Sequence, residues 1–205
     1  MKTLILGDSF SNGCELVNTD NIWWKQIDPN ATCLAEVGDA NGTILNKFLC
    51  NKDFDRVIVM WTFSVRFDFS PWCILHVHDD EPKTIDFKKL WYSNIGGDAT
   101  YVKDHCWRNI YTLQSLLKDA NIDYIFCFAD FDIFRNGDNI YKKDDILYPI
   151  DWDNFFFIDE LNGFCQWAIK NNYSIGGGGH PIDDANIEYG KQLKEWNDKR
   201  IYKKL

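Results

Sequence analysis

The chain has 205 residues, of which 45% are hydrophobic, 16% aromatic and 26% charged, enough apolar material for a folded core and too much for a disordered chain. Its formal net charge of −9 and pI near 4.8 repel phosphate backbones and anionic lipid, which argues against nucleic acid or a membrane surface as the main partner.

Residues 3–6 form a short apolar run followed by Gly7, Asp8 and Ser9, the pattern of a buried strand and a turn. Residues 22–27, carrying Trp23 and Trp24, fit a short helix. Residues 32–37 fit a second strand, and Gly38 to Gly42 a loop by composition. Helix is expected over 44–49. Residues 56–61, nearly all apolar and rich in β-branched side chains, read as the centre of a parallel sheet. Apolar residues at Trp107, Ile110, Leu113, Leu116 and Leu117 predict a helix over 101–117. A strand at 122–128 follows, then helices at 155–169 and 183–202, the last striped by Ala185, Tyr189, Leu193 and Trp196.

Strands alternating with helices predict βαβ units and a mainly parallel sheet covered on both faces. No repeat or linker divides the chain, so a single domain over 1–205 is expected. Segments 67–97 and 131–153 break the alternation. Both follow strands, where open α/β sheets build ligand sites, so they read as insertions covering a site. The seven cysteines form no C-x-x-C pair and several lie in apolar runs, consistent with buried thiols in a reducing compartment. The short apolar start is too brief for a signal peptide or a membrane span, which favours a cytoplasmic location.

Serine chemistry needs a base and oxyanion donors beside the hydroxyl. Gly7, Asp8, Ser9, Phe10, Ser11, Asn12 and Gly13 place a serine directly after a strand, where the backbone N–H groups of a starting helix are free. A helix cap would use the same residues. Near the other end, Gly176 to Gly179 precede His180 and Pro181, a histidine in a glycine-rich loop just before the last helix.

Together these two segments resemble the first and last blocks of the GDSL or SGNH hydrolases. The resemblance implies a three-layer α/β/α, flavodoxin-like domain and a serine esterase, lipase or carbohydrate O-deacetylase without cofactor or metal. It implies Ser9 as nucleophile and His180 as base. Ala40, Asn41, Gly42 and Thr43 are similar to the second block, which makes Gly42 an oxyanion donor beside the Ser9 N–H, with Gly38 as second choice. The third block's asparagine is missing from Trp61, Thr62, Phe63, Ser64, Val65 and Arg66, leaving the Thr62 or Ser64 hydroxyl as substitute donor. Asp8, Trp61, Arg66 and Gly179 flank these positions as candidate substrate contacts. The acid that commonly stands three residues before the histidine is replaced by Gly177, so a Ser-His dyad or a carboxylate from elsewhere is expected. The substrate implied is a small or carbohydrate-linked ester.

Two alternatives stand beside this reading. One is an SGNH-fold binding or structural protein with weakened catalysis, motivated by the missing asparagine and acid. The other is a metal-dependent hydrolase built on His76 and His78, since His-x-His puts both rings on one side of a strand. Trp61, Trp72, Trp91 and Trp152 fall in or near the insertions, where rings suit sugars or acyl chains.

Overall fold

The computed structural model of the protein describes residues 1–64, 66–70, 73–75, 89, 93, 99–136, 139–160 and 163–204. Strands β1 (Thr3–Leu6), β2 (Thr32–Cys33), β3 (Arg56–Trp61) and β6 (Asp123–Phe128) form an all-parallel sheet in the order β2-β1-β3-β6. In register, Leu4 lies opposite Val57, and Val57 opposite Tyr124. An isolated parallel bridge from Phe126 to Phe155 extends the far edge. This is the strand order with which a flavodoxin-like sheet begins.

Side chains alternate across each strand, and the core divides accordingly. Leu4, Leu6, Val57, Val59, Trp61, Phe126 and Phe128 face one side. They pack with Ile44 and Phe48 of α2 (Asn41–Cys50) and with Trp107, Ile110, Leu113 and Leu117 of α3 (Ala99–Asp119). Ile5, Ile58, Met60, Ile125 and Cys127 face the other side. There they meet Phe164, Trp167 and Ala168 of α4 (Phe164–Lys170) and Ala185, Tyr189 and Leu193 of α5 (Asp183–Lys204). The result is a three-layer α/β/α arrangement, as the alternation of strands and helices predicts. Burying each of these aliphatic or aromatic side chains is worth about 1.5–3 kcal/mol before entropy is counted.

Three expected elements differ in extent or type. The strand expected over 32–37 is short, because the Asp39 carboxylate accepts the Glu36 N–H (2.9 Å) and the chain turns at Gly38, φ 87°. The helix expected over 22–27 is a 3-10 turn, Trp23–Gln26. The helix expected over 155–169 begins only at Phe164. Before it, Phe155 bridges to β6 and the Phe156 N–H donates to Phe126 O (2.8 Å), so the aromatic run 155–157 lies along the sheet edge. Such residues fit a pleated surface better than a helix.

Within 67–97, the described residues form an antiparallel pair, β4 (Phe67–Ser70) with β5 (Cys73–Leu75). His76, His78, Trp72 and Trp91 lie outside the described residues. Within segment 131–153, Ile133 and Phe134 are buried, and Trp152 packs edge-on against Trp107 at 5.8 Å. The segment also carries the two-residue pair β7 (Arg135–Asn136) and β8 (Asn139–Ile140). Cys14, Cys33, Cys50, Cys106, Cys127 and Cys165 are free thiols. Cys106 and Cys127 are buried as expected, but Cys50 is exposed at the end of α2. Among the described residues, no helix is long and apolar enough to cross a membrane.

Candidate active site

In the order β2-β1-β3-β6, the chain leaves β1 toward one side of the sheet and returns to the other at β3. The crevice between the C-terminal ends of β1 and β3 is therefore the topological switch point, where open α/β sheets bind ligands. Ser9 follows β1 there. It opens the short helix α1 (Ser9–Asn12), for which Asp8 is the N-cap and accepts the Phe10 N–H. The turn is tight enough to demand glycine at position 7. At φ 154°, a Cβ there would strike the Ser11 side chain and lie 3.0 Å from Met60 O.

His180 reaches Ser9 from the opposite end of the chain. Its Nε2 lies 2.7 Å from Ser9 Oγ and its Nδ1 lies 2.7 Å from Glu15 Oε2. A carboxylate can only accept, so in the neutral imidazole Nδ1 carries the proton and Nε2 presents a lone pair to the serine hydroxyl. Phe10 packs on the imidazole, ring centroids 4.8 Å apart. Ser9 is 2% exposed, whereas the His180 and Glu15 side chains are 13% and 24% exposed.

Glu15 is a site neighbour that the motifs do not indicate. It stands six residues after Ser9, beyond the left-handed cap Gly13, φ 84°. It is itself left-handed, φ 67°, a conformation that costs a non-glycine residue on the order of 1 kcal/mol or more. Its Oε1 accepts the Gly178 N–H (2.6 Å) and its Oε2 the His180 N–H (3.3 Å). These bonds, the Gly178 N–H first and then the imidazole, hold its carboxyl below the usual range despite some desolvation. The glycine run now has a physical reason. A Cβ on Gly176 would lie 2.7 Å from Glu15 Cδ and one on Gly178 3.0 Å from Oε2. Gly179 adopts φ 90°. The loop is closed by Gly176 N–H to His180 O (2.8 Å) and Gly179 N–H to Gly176 O (3.0 Å). No sequence signal marks Glu15, because what brings it to the histidine is its left-handed backbone, and φ is not written in a sequence.

Several of the expected site residues have other partners in this structure. Thr62 donates its hydroxyl to Asp8 Oδ2 (2.6 Å) and its N–H to Asn41 Oδ1 (3.0 Å). Ser64 donates its hydroxyl to Asp132 Oδ2 (2.7 Å), and its N–H to the same atom (3.0 Å). Both hydroxyls are given to buried or part-buried carboxylates. Trp61 is fully buried, and its ring meets Phe126 edge-on at 5.4 Å in the core. Asp8 is fully buried too, held by Thr62, the Phe10 N–H and an ion pair with Arg66, and so braces the loops after β1 and β3. Arg66 keeps partial exposure and also donates to Asp39 O (3.2 Å).

Two backbone donors stay compatible with an oxyanion hole. The Ser9 N–H opens α1 and the Gly42 N–H lies in the first turn of α2, positions with no intrahelical acceptor. Gly38, the second choice, is the left-handed turn residue before Asp39. Gly179 is exposed, and a Cβ there would meet nothing within 4 Å. Asp183 does not approach the imidazole. It accepts the N–H groups of Val17 (3.1 Å) and Asn18 (3.0 Å) and the Asn21 amide (2.8 Å), tying the segment after Glu15 to the start of α5. Among the described residues there is no cluster of three or more metal-ligating side chains.

No family model and no curated protein matches the chain. Among solved structures it is similar to one titled "a putative lipolytic protein of G-D-S-L family from Desulfitobacterium hafniense DCB-2", at 13% identity and a TM-score of 0.37, over 95% of this chain and 98% of that one.

Proposed function

We propose that the protein is a serine hydrolase of small or carbohydrate-linked acyl esters, with Ser9 as nucleophile and His180 as general base. The observation that carries this reading is the 2.7 Å approach of Ser9 Oγ to His180 Nε2, between residues 171 positions apart. That is the distance over which a base takes a hydroxyl proton. Ser9 Oγ attacks the acyl carbonyl carbon while Nε2 takes its proton. The Ser9 and Gly42 N–H groups receive the oxyanion, and His180 returns the proton to the departing alcohol. Water then adds to the acyl-enzyme by the same route and releases the acid.

The test is hydrolysis of p-nitrophenyl acetate and longer acyl esters by wild type and Ser9→Ala, with fluorophosphonate labelling of Ser9. Activity and label that both vanish in Ser9→Ala support the reading. Equal inertness of the two proteins across these esters, with no label, refutes it.

A second reading, an SGNH-like protein that binds more than it turns over, is favoured by the occupied hydroxyls of Thr62 and Ser64. One missing oxyanion donor typically costs about 100-fold or more in rate. Slow turnover with retained ester or carbohydrate binding would favour it.

A further inference from the structure

We infer that Glu15 is the positioning carboxylate of His180, so that nucleophile and acid both lie on the one segment following β1 and clamp the imidazole between them. This rests on the reading of Ser9 and His180 as the reacting pair. The juxtaposition is direct: Oε2 meets Nδ1 at 2.7 Å while Ser9 Oγ meets Nε2 at 2.7 Å. With both ring nitrogens engaged, the ring plane and the tautomer are fixed together. When Nε2 takes the serine proton, the imidazolium that forms has a carboxylate already in contact, and no reorganisation is required.

The surroundings are built around this contact. Gly13 turns the chain, and the Cys14 N–H returns to Ser9 O (3.2 Å), which brings residue 15 back toward the nucleophile. Asp183 fixes the following residues through Val17 and Asn18. From the other side, the loop offers Gly178 and His180 N–H groups to the same carboxylate, and the absence of Cβ atoms at 176 and 178 lets it come close. Position 177, three residues before the histidine, holds a glycine and supplies no acid. Asp183 and Asp184, the carboxylates next along the chain, sit in the first turn of α5. Among the described residues, Cys165 is a further titratable group beside the loop, its thiol 3.8 Å from Gly179 O. Burial pushes it up to about 11, so it stays neutral.

The experiment compares wild type, Ser9→Ala, Glu15→Gln and Glu15→Asp. In ester hydrolysis, Glu15→Gln should lower kcat by roughly 10³–10⁴-fold with KM changed little, the pattern of a lost orienting acid. The acid limb of its kcat/KM profile should move to lower pH, because the imidazolium has lost its counter-charge. Glu15→Asp should recover part of the loss. A merely structural role would leave the limb in place. The second readout needs no turnover: the imidazole ¹⁵N and Nδ1–H resonances of His180. Wild type and Ser9→Ala should show a protonated, hydrogen-bonded Nδ1, and Glu15→Gln should lose that signature. Full kcat with an unmoved acid limb in Glu15→Gln overturns the inference. So does a wild-type Nδ1 that carries no proton, a result that decides the case even if Glu15→Gln fails to fold. If all variants and wild type are inert toward esters while the Nδ1 signature depends on Glu15, the esterase reading has failed and the pairing stands.

Discussion

The glycines of the histidine loop are not interchangeable. Gly176 borders the Glu15 carboxyl so closely that a methyl group there must displace it, whereas a Cβ on Gly177 meets only Glu15 Oε1 at 3.8 Å, an ordinary contact. Gly177 also lies outside the positive-φ residues. Gly177→Ala should therefore keep ester hydrolysis within about 3-fold, while Gly176→Ala should lower it by at least about 10-fold, the scale on which small misplacements of a site group act. Steady-state kinetics of the two variants side by side is the check. If both behave alike, the cradle has no role in setting the carboxylate.

Ser64 offers a parallel test of an expected role. Its hydroxyl is committed to Asp132, a carboxyl pushed up by burial and restrained mainly by that bond. Ser64→Ala should cost about 1.5–3 kcal/mol of stability, the range for a hydrogen bond to a charged group, and leave kcat within a few-fold. Thermal melts and kinetics together decide. A 100-fold loss of kcat at unchanged Tm would return Ser64 to the oxyanion hole. At this scale the residue types of the site were legible and their partners were not. Ser9 and His180 stand in recognisable loops, but whether a hydroxyl is free depends on carboxylates such as Asp8 and Asp132 that only folding brings near.

Elements were legible where periodicity is strong. The central strand is found at the residues its apolar run implied, and the long helices α3 and α5 extend their apolar stripes by only a few residues. Reading failed where tertiary contacts override local preference. Phe155 reads as a helix start but is drawn to the edge of β6, and 32–37 reads as a strand but is cut short by Asp39. The packing of α5 shows the same competition in another form. Gly190 lies in mid-helix, where alanine would be favoured by about 1 kcal/mol on propensity. A Cβ there would overlap Trp23 O and lie 2.7 Å from Gln26 Cγ, because the helix crosses the 3-10 turn Trp23–Gln26 at backbone contact. Overpacking of this kind costs about 1–3 kcal/mol and wins over propensity. Net of the propensity gain, Gly190→Ala should thus lower Tm by up to roughly 8 °C for a chain of this size. A raised Tm would mean that the helix can lift off the turn without cost.

For the whole molecule, pH acts through two opposed sets of carboxyls. Glu15 and Asp183 are held below their usual range. In Glu15 the Gly178 N–H leads; in Asp183, bonds from Asn21, Asn18 and Val17 overcome desolvation. A carboxyl lowered in the folded state contributes stability that is full above its unfolded value and is lost as pH falls through its folded value. Asp39 and Asp132 are shifted the other way, raised by burial, and Lys47 only partly offsets this at Asp39. Their contribution is full below the unfolded value and fades as pH rises through the folded one. Unfolded carboxyls titrate near pH 4, so the raised pair acts above about pH 4 and the lowered pair below it. The net charge of −9 at pH 7 adds self-repulsion that acidification toward the pI of about 4.8 relieves. Both effects above pH 4 favour the fold as pH drops, and the lowered pair reverses the trend below. Urea denaturation from pH 3 to pH 8 should therefore show maximal stability on the acid side of neutrality, at about pH 4–6, with a steep fall beneath it. Asp183→Asn should make that fall shallower, because one of the groups that must be protonated is gone, and Asp39→Asn should reduce the loss between the maximum and pH 8. A profile that rises steadily to pH 8 in wild type would overturn this account, because it would require the folded chain to bind fewer protons than the unfolded one above pH 4, the opposite of what burial of Asp39 and Asp132 demands.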